Sequence, residues 1–165
     1  MKVSENWTEV LKLEKQFRTK IARYHIDTSP ETIKNDLLAS LDSRDGQLIT
    51  TRLMSEGYIQ EKAIVSIWEE LVSLVFYGTD EVAAWSIDAL SRLSREHKDI
   101  YRNEITMLVF RYAKAEMKDD LAVTFGMQLL YRLSYREELI KYIDSFKSYM
   151  DLQEDDFASY INDCY

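Results

Sequence analysis

Apolar and polar residues recur along this chain with the period of a helix from end to end. Val10, Glu14, Phe17, Ile21 and Tyr24 fall at spacings of four, three, four and three, and all but Glu14 are apolar or aromatic. They form one face of a helix expected over about Ser4 to Tyr24. Asp27-Thr28-Ser29-Pro30 ends that helix and starts the next. Ser29 suits the N-cap, and Pro30 suits the first helical position, where its missing N–H costs nothing. The second helix reaches about Ser43 with Ile33, Leu37, Leu38 and Leu41 inward. Asp45-Gly46 reads as a turn. A short helix then covers about Gln47 to Ser55, and Gly57 follows it as a C′ glycine.

From Tyr58 to Tyr77 the pattern changes. Ile64, Trp68, Leu71 and Val75 make one apolar stripe, Val65, Val72 and Phe76 a second, and Ile67 and Leu74 fill the gap. A helix apolar over most of its circumference is buried on several sides, so this segment is expected as one central helix ended by Gly78. Thr79 or Asp80 then caps a helix to about Arg95. Further helices are expected at Lys98–Lys118, Asp119–Leu133 and Arg136–Met150, with a tail helix near Asp155–Cys164.

The pattern also repeats. At an offset of 40 residues, Asp80, Leu90, Arg92, Leu93, Ser94 and Ile100 coincide with Asp120, Leu130, Arg132, Leu133, Ser134 and Ile140. Arg-Leu stands at 52–53, 92–93 and 132–133, each time near the end of one expected helix and shortly before a longer one. A helical hairpin cannot bury its apolar face alone, so neighbouring hairpins bury each other's. Over about 45–150 the chain resembles HEAT-like repeat proteins. The resemblance implies an all-α fold of antiparallel hairpins stacked as a short α-solenoid, about eight helices in a single domain spanning 1–165. On that reading 1–44 is a helical cap, 45–150 holds about three repeat units, and 151–165 is an acidic tail helix. It also implies that Arg52, Arg92 and Arg132 join a ladder of side chains between repeats. Read without the resemblance, they are cations at helix C-termini, where the dipole favours them.

Composition supports the helical reading. Four glycines and one proline in 165 residues are far fewer than the turns of sandwiches, barrels or α/β folds use. The net charge of −8 repels nucleic-acid phosphates and anionic membrane surfaces, and steers basic partners inward. The apolar stretch Ala63–Tyr77 is too short and, with Glu69 and Glu70, too charged to span a bilayer. Residues 1–7 lack the apolar core of a signal peptide. The single Cys164 allows no internal disulfide, which fits a reducing compartment. The expectation is a cytoplasmic protein with no nucleic-acid or membrane partner.

Chemistry is scarce. Neither His25 nor His97 has a Cys, Asp, Glu or His at ligand spacing, so both read as surface residues near helix ends and no metal is expected. No phosphate-binding glycine loop and no nucleophile elbow occur, so no cofactor and no enzyme activity are expected. Cys164 reads as part of a frayed tail. Asp119, Asp120, Glu137 and Glu138 fall in first turns, where anions are favoured. Glu69 and Glu70 interrupt the central helix, and one of them is expected to be partly buried and paired with a repeat arginine. Trp68, Trp85, Phe17, Phe110 and Phe125 sit on core stripes. Eleven tyrosines are more than such a core absorbs, and tyrosine is enriched at interfaces.

These features select a non-enzymatic protein-interaction module as the leading function. Its candidate partner-binding residues are Glu69, Glu70, Tyr77, Tyr101, Tyr112, Asp119, Asp120 and Tyr142. A small, acidic, single-domain protein without catalytic signature resembles, at the level of class, the immunity proteins of bacterial toxin systems. That resemblance implies a basic toxin as partner. The rival readings are a structural or adaptor subunit of a larger complex, and a helical enzyme or small-ligand binder with an acidic inter-helix pocket around Glu69, Glu70 and an arginine.

Overall fold

The structure, a computed structural model, describes residues 2–22 and 28–165, without the side chains of residues 2–7 and Val10. Tyr24, His25 and Asp27 lie outside the described residues. Among the described residues there are eleven α-helices and no strand. They are α1 (Lys2–Ile21), α2 (Pro30–Ser40), α3 (Arg44–Ser55), α4 (Glu61–Ser66), α5 (Trp68–Tyr77), α6 (Asp80–Ser91), α7 (Arg95–Ile100), α8 (Arg102–Ala115), α9 (Asp120–Arg132), α10 (Arg136–Phe146) and α11 (Glu154–Asp163). No helix among the described residues is long and apolar enough to cross a membrane.

Short polar side chains cap five of the starts among the described residues. Ser29 Oγ accepts from the Thr32 N–H, and Pro30 opens α2. Thr79 caps α6 through the Val82 N–H, and Ser94 caps α7 through the His97 N–H. Asp119 accepts from the N–H groups of both Leu121 and Ala122, at 3.1 Å each, and so caps α9. Each bond satisfies one of the donors that a helix start leaves open. At the other end of α3, Gly57 takes φ +84°, while the Gly57 and Tyr58 N–H groups donate back to Met54 and Leu53. That is the left-handed ending for which glycine is favoured.

Four expectations need correction. Asp45-Gly46 is no turn, because α3 begins at Arg44 under the Ser43 cap and Gly46 lies in its first turn. The central helix is two helices that break at the fully buried Ile67 (φ −128°, ψ 27°). The Ser66 hydroxyl donates to the Ala63 carbonyl there, a local bond that bends helices. The helix expected at Lys98–Lys118 is likewise two, α7 and α8, meeting at Tyr101. Trp68 and Tyr101, one at each break, meet at a tilt with ring centroids 5.5 Å apart. These two breaks account for most of the excess over about eight helices. Cys164 is no frayed end: it is 3% exposed, and burial pushes its thiol pKa up.

One apolar core runs through the molecule. α3 packs on α6 and α6 on α9, while α5 packs on α8 and α8 on α10. α5 also lies against α6 and α9, and α1 and α2 cover α3. Leu53, Leu90 and Leu130 are fully buried near the ends of α3, α6 and α9, and Leu71, Ile105 and Leu139 are fully buried on α5, α8 and α10. Trp68, Phe17, Phe110 and Phe125 pack on the core edge, and Trp85 is half-buried on α6.

Candidate functional site

The eight candidate contact residues divide into three groups. Tyr77 and Tyr112 meet edge to face at 5.4 Å where α5 and α8 end, with Phe76 tilted against Tyr112 at 5.5 Å. Tyr77 is 52% exposed. Burial, and then Glu116, to which its hydroxyl is bonded, raise its phenol pKa. Asp119 and Asp120 follow in the next turn at the start of α9 and are exposed. Asp80 and Glu81, two residues past Gly78 at the start of α6, add exposed carboxylates at the same end.

Glu69, Glu70 and Tyr101 belong to the opposite end of α5 and α8. Glu69 is exposed. Glu70 is half-buried beside Leu38, Leu41 and Asp42 in a cleft of about 230 Å³ that no arginine lines. The expected pairing of Glu70 with a repeat arginine is absent among the described residues, because those arginines hold other carboxylates. Tyr101 is half-buried against Trp68 and stacks with His97 at 6.4 Å.

Tyr142 is a correction. It is fully buried, its hydroxyl donates to the Val123 carbonyl at 2.6 Å, and burial pushes its phenol pKa up. Helical phase puts it on the inner side of α10, so it offers no surface to a partner.

The arginines form polar links, but not in the register expected. The left-handed residues Gly57 and Ser134 mark the same point after α3 and α9. Counted back from that point, Ser55 and not Arg52 stands in the place of Arg132. Asp88 of α6 joins them: it accepts from Ser55 of α3 at 2.7 Å and from Arg132 of α9 at 2.7 Å, with Arg92 at 3.4 Å. Arg132 also donates to Ser91 at 3.0 Å. Burial raises the Asp88 carboxyl pKa, but the bonds from Ser55, Arg132 and Arg92 outweigh it and hold it below the usual carboxylate range. Arg52 instead belongs to a link between α1 and α3. There it meets Glu56 at 3.0 Å and Glu14 at 4.0 Å, while Arg18 holds Glu14 at 2.7 Å.

Asp88 therefore carries more of the packing than the arginines that the sequence singles out. Asp88→Ala is expected to lower stability by about 1–2 kcal/mol, the range for losing charge-assisted hydrogen bonds at a half-buried carboxylate. Arg92→Ala, on the exposed and longest arm, is expected to cost under about 0.5 kcal/mol. Urea unfolding of the two variants checks the order, and equal losses would contradict it.

His97 has a partner that spacing did not reveal. Its Nδ1 lies 2.7 Å from Glu61 Oε1 of α4, and the Ser94 N–H donates to the same carboxylate. His97 first, and then the Ser94 backbone, hold the Glu61 carboxyl below the usual range. Thirty-six residues separate the pair, so no local motif announces it. Asp88 had a faint signal, standing one turn before Arg92 on the same helix face. Among the described residues no group of three or more His, Cys, Asp or Glu side chains is placed to hold a metal ion.

No protein-family model, no curated protein and no solved structure matches this chain.

Proposed function

We propose that the chain is a non-enzymatic protein-interaction module that docks a basic protein on the end where α5 and α8 finish and α6 and α9 begin. The observation that carries this reading is Tyr77, half-exposed on Tyr112 and bonded to Glu116, with Asp80 and Glu81 exposed at the start of α6 and Asp119 and Asp120 exposed at the start of α9. An amphipathic ring supplies buried contact area with few rotamers to freeze. A rim of carboxylates speeds encounter with a cationic partner and rejects acidic ones. The order of helix contacts supports a short HEAT-like stack beneath this surface, with α3, α6 and α9 as one row, α5, α8 and α10 as the other, and α1 and α2 as the cap. Within this class the chain fits an immunity protein that masks a basic toxin in the cytoplasm.

The test compares partner capture from the native cells by the wild-type chain and by a Tyr77→Ala/Asp120→Lys variant. Asp119 is left intact because it caps α9. The expected result is a basic protein held in stoichiometric amount by the wild type, more weakly at high salt, and at least about tenfold more weakly by the variant. For the immunity reading, that protein expressed alone arrests growth, and co-expression of the chain restores it. A partner bound equally well by the variant removes this face from consideration. A captured partner that is harmless when expressed alone replaces the toxin with an adaptor role.

A further inference from the structure

We infer that the cleft between Arg95, Lys98 and Arg102 on one wall and Ser134 and Tyr135 on the other binds a phosphate group. The cleft has a volume of about 440 Å³. It lies at the opposite end of α8 and α9 from Tyr77, about 20 Å away along helices of this length. It is therefore independent of the docking surface proposed above.

Arg95 and Lys98 are one turn apart on α7, and Arg102 follows one turn later, past the break at Tyr101. All three line the same cleft. The facing wall is the turn between α9 and α10. Two contacts fix the walls together: the Tyr135 hydroxyl donates to the Lys98 carbonyl, and Arg102 grips Glu138 through Nε and one Nη at 2.5 and 3.1 Å. The Arg102 guanidinium also lies over the Tyr135 ring at 5.0 Å. Arg102 is thus held in place, and among the described residues its second Nη makes no hydrogen bond.

The charge balance in the cleft points to an anion. Arg95 and Lys98 form no ion pair among the described residues, in a chain whose net charge is −8. Asp99 is the only acidic side chain lining the cleft. Burial and the neighbouring Arg132 both disfavour the charged form of Lys98, and Glu61 offsets them in part. An anion in the cleft would offset the positive charge of Arg95, Lys98 and Arg102 through charge-assisted hydrogen bonds. The guanidinium and ammonium groups offer separate donors to a multi-oxygen anion, and the Ser134 hydroxyl, which makes no hydrogen bond of its own among the described residues, adds another. Ser134 also holds a left-handed φ of 61°, at the point where α3 uses Gly57. Non-glycine residues in that region carry a cost and cluster at ligand clamps. The volume exceeds that of a bare phosphate ion, so a phosphate monoester fits as well.

The test titrates the full chain with inorganic phosphate at constant ionic strength, with chloride as the balancing ion, and follows backbone amides by NMR. Ribose 5-phosphate and ribose form parallel arms. The expected result is saturable shifts confined to residues 95–102, 133–136 and Tyr165, which also lines the cleft, weakened at least tenfold in Arg95→Gln/Lys98→Gln. These two exposed or half-buried changes leave Tyr135, Glu138 and the core untouched. Tighter binding of ribose 5-phosphate than of inorganic phosphate assigns the site to phosphate esters, and equal binding assigns it to the free ion. Non-saturating shifts, shifts equal in the double variant, or equal response to ribose alone overturn the inference.

Discussion

Tyr142→Ala is expected to destabilise the protein by about 3–5 kcal/mol, the cost of deleting a large buried aromatic side chain. Tyr142 sits where α9, α8 and α10 meet. Phe110 meets its ring edge to face at 5.5 Å, and Phe146 packs at a tilt at 4.8 Å. The ring also passes over Gly126, where an added Cβ would lie 2.5 Å from the Tyr142 hydroxyl and 2.7 Å from Phe76 Cζ. Truncation therefore opens a void bounded by three helices that cannot all close on it. Tyr142→Phe keeps the ring and loses only the bond to the Val123 carbonyl. That carbonyl lies within α9, so its helix bond remains and the loss is expected near the low end of about 0.5–1.5 kcal/mol. Urea unfolding, with an unchanged m-value, measures both. Two near-neutral variants would place Tyr142 at the surface, as its sequence context suggested.

The places where sequence reasoning worked share a physical cause: the deciding interaction was local. Ser29-Pro30, Thr79 and Gly57 act within one turn of their own backbone, so the residue type alone carries the signal. The coincidence of Asp80 with Asp120 and of Leu90 with Leu130 recovered the common phase of α6 and α9, because helix length preserves it. Phase between α3 and α6 was lost, since the turns around Gly57 and Ser94 differ. That shifted the place of Arg132 onto Arg52, when Ser55 occupies it. The breaks at Ile67 and Tyr101 were invisible because apolar periodicity is unchanged across a single non-helical residue.

The candidate surface was half legible. Tyr77 and Tyr112 meet because α5 packs on α8 near the ends of both helices, and Asp119 and Asp120 follow within a short turn at the start of α9. Glu69 and Glu70 failed to join them because they occupy the other end of α5. Tyr142 failed because a tyrosine at a core edge and one in the core have the same helical phase; only tertiary burial separates them. Asp88, His97 and Glu61 act across helices at separations of 33 to 44 residues, beyond the reach of local spacing.

Gly46→Ala is the second large expected effect, and its sign opposes helix propensity. In an exposed helix interior the substitution would gain about 1 kcal/mol. Here an ideal Cβ at residue 46 would lie 1.8 Å from the Ser40 carbonyl oxygen and 3.0 Å from Ser43 Oγ. The Ser40 oxygen is backbone, so no rotamer change relieves the clash, and the turn between α2 and α3 must open. That turn is closely tied: Gln47 donates to the Leu41 carbonyl at 3.1 Å, Thr50 to Ser40 Oγ at 3.0 Å, and the Gly46 N–H to Ser43 at 3.0 Å. Displacement costs the Ser43 cap as well as the contact, so a net loss of about 2–3 kcal/mol is expected. At this chain length that lowers Tm by roughly 4–12 °C. Gly57→Ala separates sterics from backbone conformation. A Cβ there meets nothing closer than Arg92 at 3.6 Å, but φ is +84°, so the cost is the left-handed penalty alone, about 1–2 kcal/mol. Thermal unfolding of the two variants side by side should place Gly46→Ala below Gly57→Ala. A Gly46→Ala protein as stable as the wild type would mean that residue 46 lies in an open turn and that α3 starts later.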